Sequence, residues 1–138
     1  MTGRYSEPVG EEPSFSVILW TTDVSAFAGF LERVTGAVIE AIHPGYASLR
    51  AGTSEIMLHA DESYRGHPWY DALGREGAAR GIGAELRFRV PDVPAGYSTA
   101  LRAGAQPIAP PYESGTVLEC QVMGPDGFLL SLWQPITI

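Results

Sequence analysis

The chain has no lysine. All nine of its basic residues are arginine, set against sixteen acidic ones, for a net charge of −7 over 138 residues. A nucleic-acid surface needs clustered cations, so this balance argues against one. It permits a cationic ligand. Cysteine is nearly absent too. Cys120 stands alone, which excludes an internal disulfide and any multi-thiolate metal site. No apolar run approaches the roughly 20 residues of a membrane-spanning helix, so no membrane role is expected. There is no G-x-S-x-G nucleophile motif and no phosphate-binding glycine loop. The run Gly81-Ile82-Gly83 precedes a strand-like segment, the wrong context for a dinucleotide fingerprint. Residues 1–13 lack the basic and apolar regions of a secretory signal. They read as a flexible polar lead-in and point to a cytoplasmic address.

What the chain does have is a repeat. Residues 15–23 read FSVILWTTD and residues 84–92 read AELRFRVPD. Each strand-like run ends in an aspartate suited to capping a helix. The segments 23–36 and 92–104 then carry helical patterns closed by Gly36 and Gly104. In the first, Val24, Phe27, Phe30, Leu31 and Val34 form a buried stripe. Each unit ends in an apolar strand, IMLHA at 56–60 and LSLWQ at 130–134. A duplicated unit of this size builds two halves with a cleft where they meet.

The expected organisation is a flexible lead over 1–13 and a single domain over 14–138. That domain divides into module one (14–60), a connection (61–83) and module two (84–135). Strands are expected near 37–43 and 46–51, split by the Pro44-Gly45 turn. The connection mixes charges, glycines and aromatics, with a short helix around Trp69–Leu73. Its Tyr64, His67, Trp69 and Tyr70 suit a lid, a subunit contact or ordinary packing. In module two the proline-rich stretch QPIAPPYESG reads as a loop, followed by the strand TVLECQVM, the turn GPDG and the strand FLLSLWQ. Cys120 alternates with Leu118 and Val122 and reads as buried and inert.

Two units of strand, helix and three strands, with Asp-Val after each first strand and Pro-Asp-Gly before the last, resemble the vicinal oxygen chelate superfamily. The resemblance covers about residues 14–135. It is carried by GAARGIGAELRFRVPDV, LRAGAQPIAPP and GPDGFLLSLWQP, and is nearest the bleomycin-resistance-like branch. It implies an α+β fold: two βαβββ modules forming a cupped eight-stranded mixed sheet, with helices outside and a ligand site within the cup. It also implies that the two first strands meet near the centre, and that chains commonly pair as homodimers, some with halves exchanged. In metal-dependent members four ligands come from the first and last strands of each module. Carried onto this chain, those positions are Ser16, Met57, Glu85 and Ser131. Only Glu85 is a good ligand for a divalent cation, so no metal and no cofactor are expected.

Alternation selects the remaining candidates. Ser16 and Trp20 share one face of the first strand; Ser131 and Trp133 share one face of the last. Either tryptophan could stack a planar ligand, cap an arginine or fill the core. Glu85 could orient a cationic group or pair with Arg80, Arg87 or Arg89. Arg87 and Arg89, on the same face, could bind a carboxylate or phosphate or pair with Glu119 or Glu55. His59 shares a face with Met57 and is a candidate base or a hydrogen-bonded structural residue. The expected ligand-binding set is therefore Ser16, Trp20, Met57, Glu85, Arg87, Ser131 and Trp133, with Glu85 and His59 as candidate catalytic groups. The expected function is metal-free sequestration of an aromatic or amphipathic small molecule, an antibiotic among the candidates. Two alternatives stay open: a metal-dependent lyase or dioxygenase with an irregular ligand set, or a metal-free isomerase or lyase using Glu85 or His59 as base.

Overall fold

A computed structural model describes residues 13–76 and 80–136. Most of the lead-in, residues 77–79 of the connection and the last two residues lie outside this range. Module one runs β1 (Ser16–Thr21), α1 (Val24–Thr35), β2 (Val38–Ile42), β3 (Tyr46–Ala51) and β4 (Ser54–Ala60). The connection holds a 3-10 turn (Asp61–Tyr64) and α2 (Pro68–Glu76). Module two runs β5 (Glu85–Arg89), α3 (Val93–Arg102), β6 (Gln106–Ser114), β7 (Val117–Met123) and β8 (Leu129–Pro135).

The two modules start alike for the same local reasons. Asp23 and Asp92 are both extended, and each carboxylate takes a backbone N–H of the first turn, from Ala26 at 2.9 Å and Ala95 at 3.0 Å. Gly36 closes α1 in the left-handed conformation, φ +78°, a region glycine enters without steric penalty. The expected apolar stripe of α1 is buried in full.

The fold is α+β, with two βαβββ modules. Its eight strands form two four-stranded mixed sheets, ordered β1-β4-β3-β2 and β5-β8-β7-β6. In both, the first strand runs parallel to the last, and the remaining neighbours are antiparallel. The first strands β1 and β5 are the outer strands of their sheets, and no backbone ladder joins them among the described residues. They approach each other across a cleft instead.

One element differs from the sequence reading. The stretch read as a proline-rich loop is β6, nine residues long. Proline gives no N–H to a ladder, so it is confined to edges and bulges. Here β6 is an edge strand, and its pairing with β7 shifts register at Pro107/Ala109 and Ala109/Tyr112, around all three of its prolines.

A single core joins the modules. Leu19, Leu58 and Phe27 of module one cluster with Leu130, Leu132 and Phe128 of module two. Phe27 stacks on Phe128 at 5.5 Å between ring centres. The helices also touch: a Cβ placed on Gly96 of α3 would stand 2.9 Å from Leu132 Cδ1 and 3.5 Å from the Val34 carbonyl of α1. Asp126, in the turn before β8, fastens the junction. Its carboxylate accepts from Thr21 Oγ1 at 2.7 Å, Thr22 Oγ1 at 2.9 Å and the Thr22 backbone N–H at 3.1 Å. Among the described residues no helix is long and apolar enough to cross a membrane.

Candidate functional site

Core packing takes one face of each sheet and leaves the other free. On β1, Val17 and Leu19 point to the core, so Ser16, Ile18 and Trp20 take the free face. Parallel register sets them beside Glu55, Met57 and His59 of β4. On β5, Leu86 and Phe88 turn inward, and Glu85, Arg87 and Arg89 turn out. Register sets these beside Leu129, Ser131 and Trp133 of β8. Each module thus presents half of the expected candidates on its own sheet.

The module-one face is aromatic and is covered by the connection. The Tyr64 ring lies on Trp20, 3.5 Å between centres and 16° from parallel. Its hydroxyl is 2.7 Å from His59 Nδ1. His67 and Trp69 complete the group, 5.2 and 5.7 Å from Trp20. Ser16 is exposed at the start of β1, and Met57 is half-buried beside Ile18.

The module-two face is charged, and no element among the described residues covers it. Glu85 is exposed and accepts from Gln121 Nε2 at 3.3 Å, rather than from an arginine. The Arg87 guanidinium stands over the Trp133 ring at 4.6 Å and reaches Glu119 at 3.5 Å; Arg89 stands 5.5 Å from the same ring. Trp133 therefore caps arginine side chains. Glu119 also accepts from the Tyr112 hydroxyl at 3.0 Å, and this bond raises the phenol above its ordinary pKa. Ser131 is fully buried between Arg87 and Gln121, and its Oγ has no hydrogen-bond partner among the described residues. Arg80 pairs with Asp61 through two bonds of 2.6 and 2.7 Å. Burial pushes the Cys120 thiol upward, in keeping with an inert side chain.

A cleft of about 690 Å³ runs between β1 and β5. Phe15, Val17 and Leu19 wall one side; Glu85, Arg87 and Trp133 are on the other. Ser16, Trp20, Met57 and Ser131 do not line it. Sequence reading missed Gln121 and Tyr112 as neighbours of the charged face. Alternation about buried Cys120 would have placed Gln121 there, but Tyr112 was hidden in the stretch read as a loop.

The four positions implied as metal ligands are thus divided, Ser16 and Met57 on one sheet, Glu85 and Ser131 on the other. Two hydroxyls, a thioether and one carboxylate are a poor donor set for a divalent cation. No three His, Cys, Asp or Glu side chains gather in a metal-holding group among the described residues. The residues present do not fit a metal centre.

Several solved structures share this architecture. One is a glyoxalase/bleomycin resistance protein/dioxygenase family enzyme from Burkholderia phytofirmans PsJN, 24% identical, covering 88% of this chain and 97% of that one, with a TM-score of 0.69. A glyoxalase-related enzyme from Fulvimarina pelagi is 17% identical over 88% and 87% of the two chains, at 0.68. A glyoxalase/bleomycin resistance protein/dioxygenase from Nocardioides is 18% identical over 96% and 86%, at 0.63. At these identities the likeness establishes the fold alone, that of the glyoxalase/bleomycin resistance/dioxygenase proteins. No family model matches the sequence, and no curated protein does.

Proposed function

We propose that the protein is a metal-free small-molecule binding protein of the glyoxalase/bleomycin-resistance type. It sequesters an aromatic or amphipathic compound, with antibiotics among the candidates. The observation that supports this reading is the side-chain set at the four positions that the resemblance implies as ligands in metal-dependent members. Ser16, Met57 and Ser131 are weak donors, whereas aromatic surface lies close by at Trp20 and Trp133. Affinity would come from burying flat apolar surface, with Glu85 orienting a polar group.

The working unit is proposed to be a homodimer with exchanged halves. Within one chain the two candidate faces belong to different sheets. β1 and β5 each keep a free edge, and Phe15 and Ile18 beside it are 69% and 46% exposed. A free strand edge is a template for another strand. Setting β1 of one copy beside β5 of another would bring Trp20 and Met57 against Glu85 and Trp133.

A thermal-shift screen of small aromatic compounds tests the function, since a ligand selective for the native state raises the melting temperature. For a cationic hit, Glu85→Gln should weaken binding by about 1–3 kcal/mol. Unchanged affinity in both Glu85→Gln and Trp133→Ala would place the site elsewhere. Sedimentation at micromolar concentration tests the pair; a clean monomer near 14.8 kDa would rule it out. Turnover of a hit would replace sequestration with the isomerase or lyase reading, for which Glu85, held by Gln121 alone among the described residues, is the base to examine.

A further inference from the structure

The charged wall of the β1–β5 cleft gathers two cations on one ring. Arg87 and Arg89 are two apart on β5, so they leave the same face, about 7 Å from each other at the backbone. Both guanidiniums come to Trp133, 4.6 and 5.5 Å from the ring centre. All three residues line the cleft of about 690 Å³. Like charges this close repel, and their surroundings offset them only in part. Glu119 reaches Arg87 at 3.5 Å, long for a charge-assisted bond, and is shared with the Tyr112 hydroxyl. Among the described residues Arg89 has no acidic partner. Both arginines are exposed, which leaves guanidinium donors open to the cleft. The facing wall is apolar, with Phe15, Val17 and Leu19.

We infer that the cleft is built for an aromatic carboxylate, with the carboxylate held by Arg87 and Arg89 and the ring against Phe15 and Val17. This rests on the proposal that the protein binds a small aromatic molecule, and it adds the ligand's charged group. An arginine fork matches a carboxylate through two parallel N–H bonds. Trp133 stacks under both forks and orders them before the ligand arrives, which lowers the entropy lost on binding. Glu85 stands at the other end of β5, about 13 Å along the strand from Arg89. A cationic group at Glu85 and a carboxylate at Arg89 are therefore separate contacts that fail separately.

The test compares 2-naphthoate with 2-naphthamide, which keeps the ring and a planar head group but carries no charge. Binding to the full chain is measured by equilibrium dialysis at low ionic strength. The net charge of −7 repels anions at long range, so a preference for naphthoate has to come from local cations. Naphthoate should bind at least about tenfold more tightly than the amide, the scale of a charge-assisted hydrogen bond. Arg89→Met keeps an apolar stem beside Trp133 and removes the charge. It should bring the two probes to within about twofold of each other, the residue that one weak pair supplies. Glu119→Gln frees Arg87 while still accepting from Tyr112. It should tighten naphthoate about threefold, the scale of a lost exposed ion pair, and leave naphthamide unchanged. Equal binding of the two probes by the parent overturns the inference, as does a preference that survives Arg89→Met. Binding of neither probe at millimolar concentration also overturns it. If Arg89→Met does not fold, Glu119→Gln decides, and an unchanged naphthoate affinity there sinks the idea. An uncharged screening hit that binds the parent and Arg89→Met alike removes the carboxylate site while leaving the binding function in place.

Discussion

Module one and module two share a topology and diverge in the helix that each packs against its sheet. Counted from the capping aspartate, Phe27 in α1 occupies the place of Gly96 in α3, and Leu31 the place of Ala100. Six residues of α1 are buried, against Val93 and Ala100 in α3. The difference is complementary. α1 supplies volume, with Phe27 reaching Phe128 and Phe30 approaching Gly124 in the other half. α3 supplies space, letting Leu132 and the Val34 carbonyl come close to its backbone. A repeated unit can keep its turns, caps and strand order and still form a unique interface, provided its bulky positions are not repeated.

The strongest way to break that complementarity is Phe27→Ala. The ring is fully buried and packs across the module junction. Its loss should destabilise the fold by about 3–5 kcal/mol, the range for a buried aromatic replaced by alanine. Chemical denaturation with an unchanged slope would check it. A loss under about 1 kcal/mol would mean that the halves do not depend on this contact.

The reciprocal change fills the small side. In Gly96→Ala two effects oppose. Helix propensity favours alanine by up to about 1 kcal/mol. The new methyl meets Leu132 Cδ1 at 2.9 Å, and Leu132 is fully buried with little room to turn. Overpacking of this kind costs about 1–3 kcal/mol, so a net loss of about 1 kcal/mol is expected. A stabilised variant would show that Leu132 moves freely and that the junction is looser than its geometry suggests.

The same comparison explains what was legible in the sequence. The repeat, both capping aspartates and the α1 stripe are local patterns, written within a few residues of where they act. So the fold could be read from one chain. β6 was not legible, because prolines signal a break unless the strand is known to lie on an edge, and edge position is a property of the finished sheet. The site was legible only by halves. Alternation assigned Trp20 and Glu85 to free faces, but no local pattern says whether two faces share a cleft within one chain. The placement of Tyr64 on Trp20 was equally hidden, since the connection has no periodicity to fix which of its aromatics turns inward. Glu119 was among the partners expected for Arg87 and Arg89; the strand register sets it in line with Trp133 and Arg89, and its carboxylate reaches Arg87 on the diagonal.

The smallest expected effect is also the sharpest comparison. Asp23 and Asp92 have nearly the same backbone angles, φ −149° and ψ 95° against φ −148° and ψ 97°. Their capping bonds differ by only 0.1 Å, at 2.9 and 3.0 Å. Both caps are exposed, so each replaces a bond that water would otherwise make. Asp23→Ala and Asp92→Ala should each cost about 1 kcal/mol, even though one helix is far more buried than the other. Serine at either position should restore most of the loss, because its hydroxyl can accept the same N–H. Glycine should cost only a few tenths of a kcal/mol, since it tolerates the extended cap conformation. Equal losses would show that the start of each unit acts independently of the core it leads into. A several-fold larger loss for Asp23 would instead tie its cap to the adjoining Thr21 and Thr22 contacts with Asp126, whose place beside Asp92 is taken by Gln134, accepting from the Val93 N–H at 2.6 Å and donating to the Pro91 carbonyl at 3.3 Å.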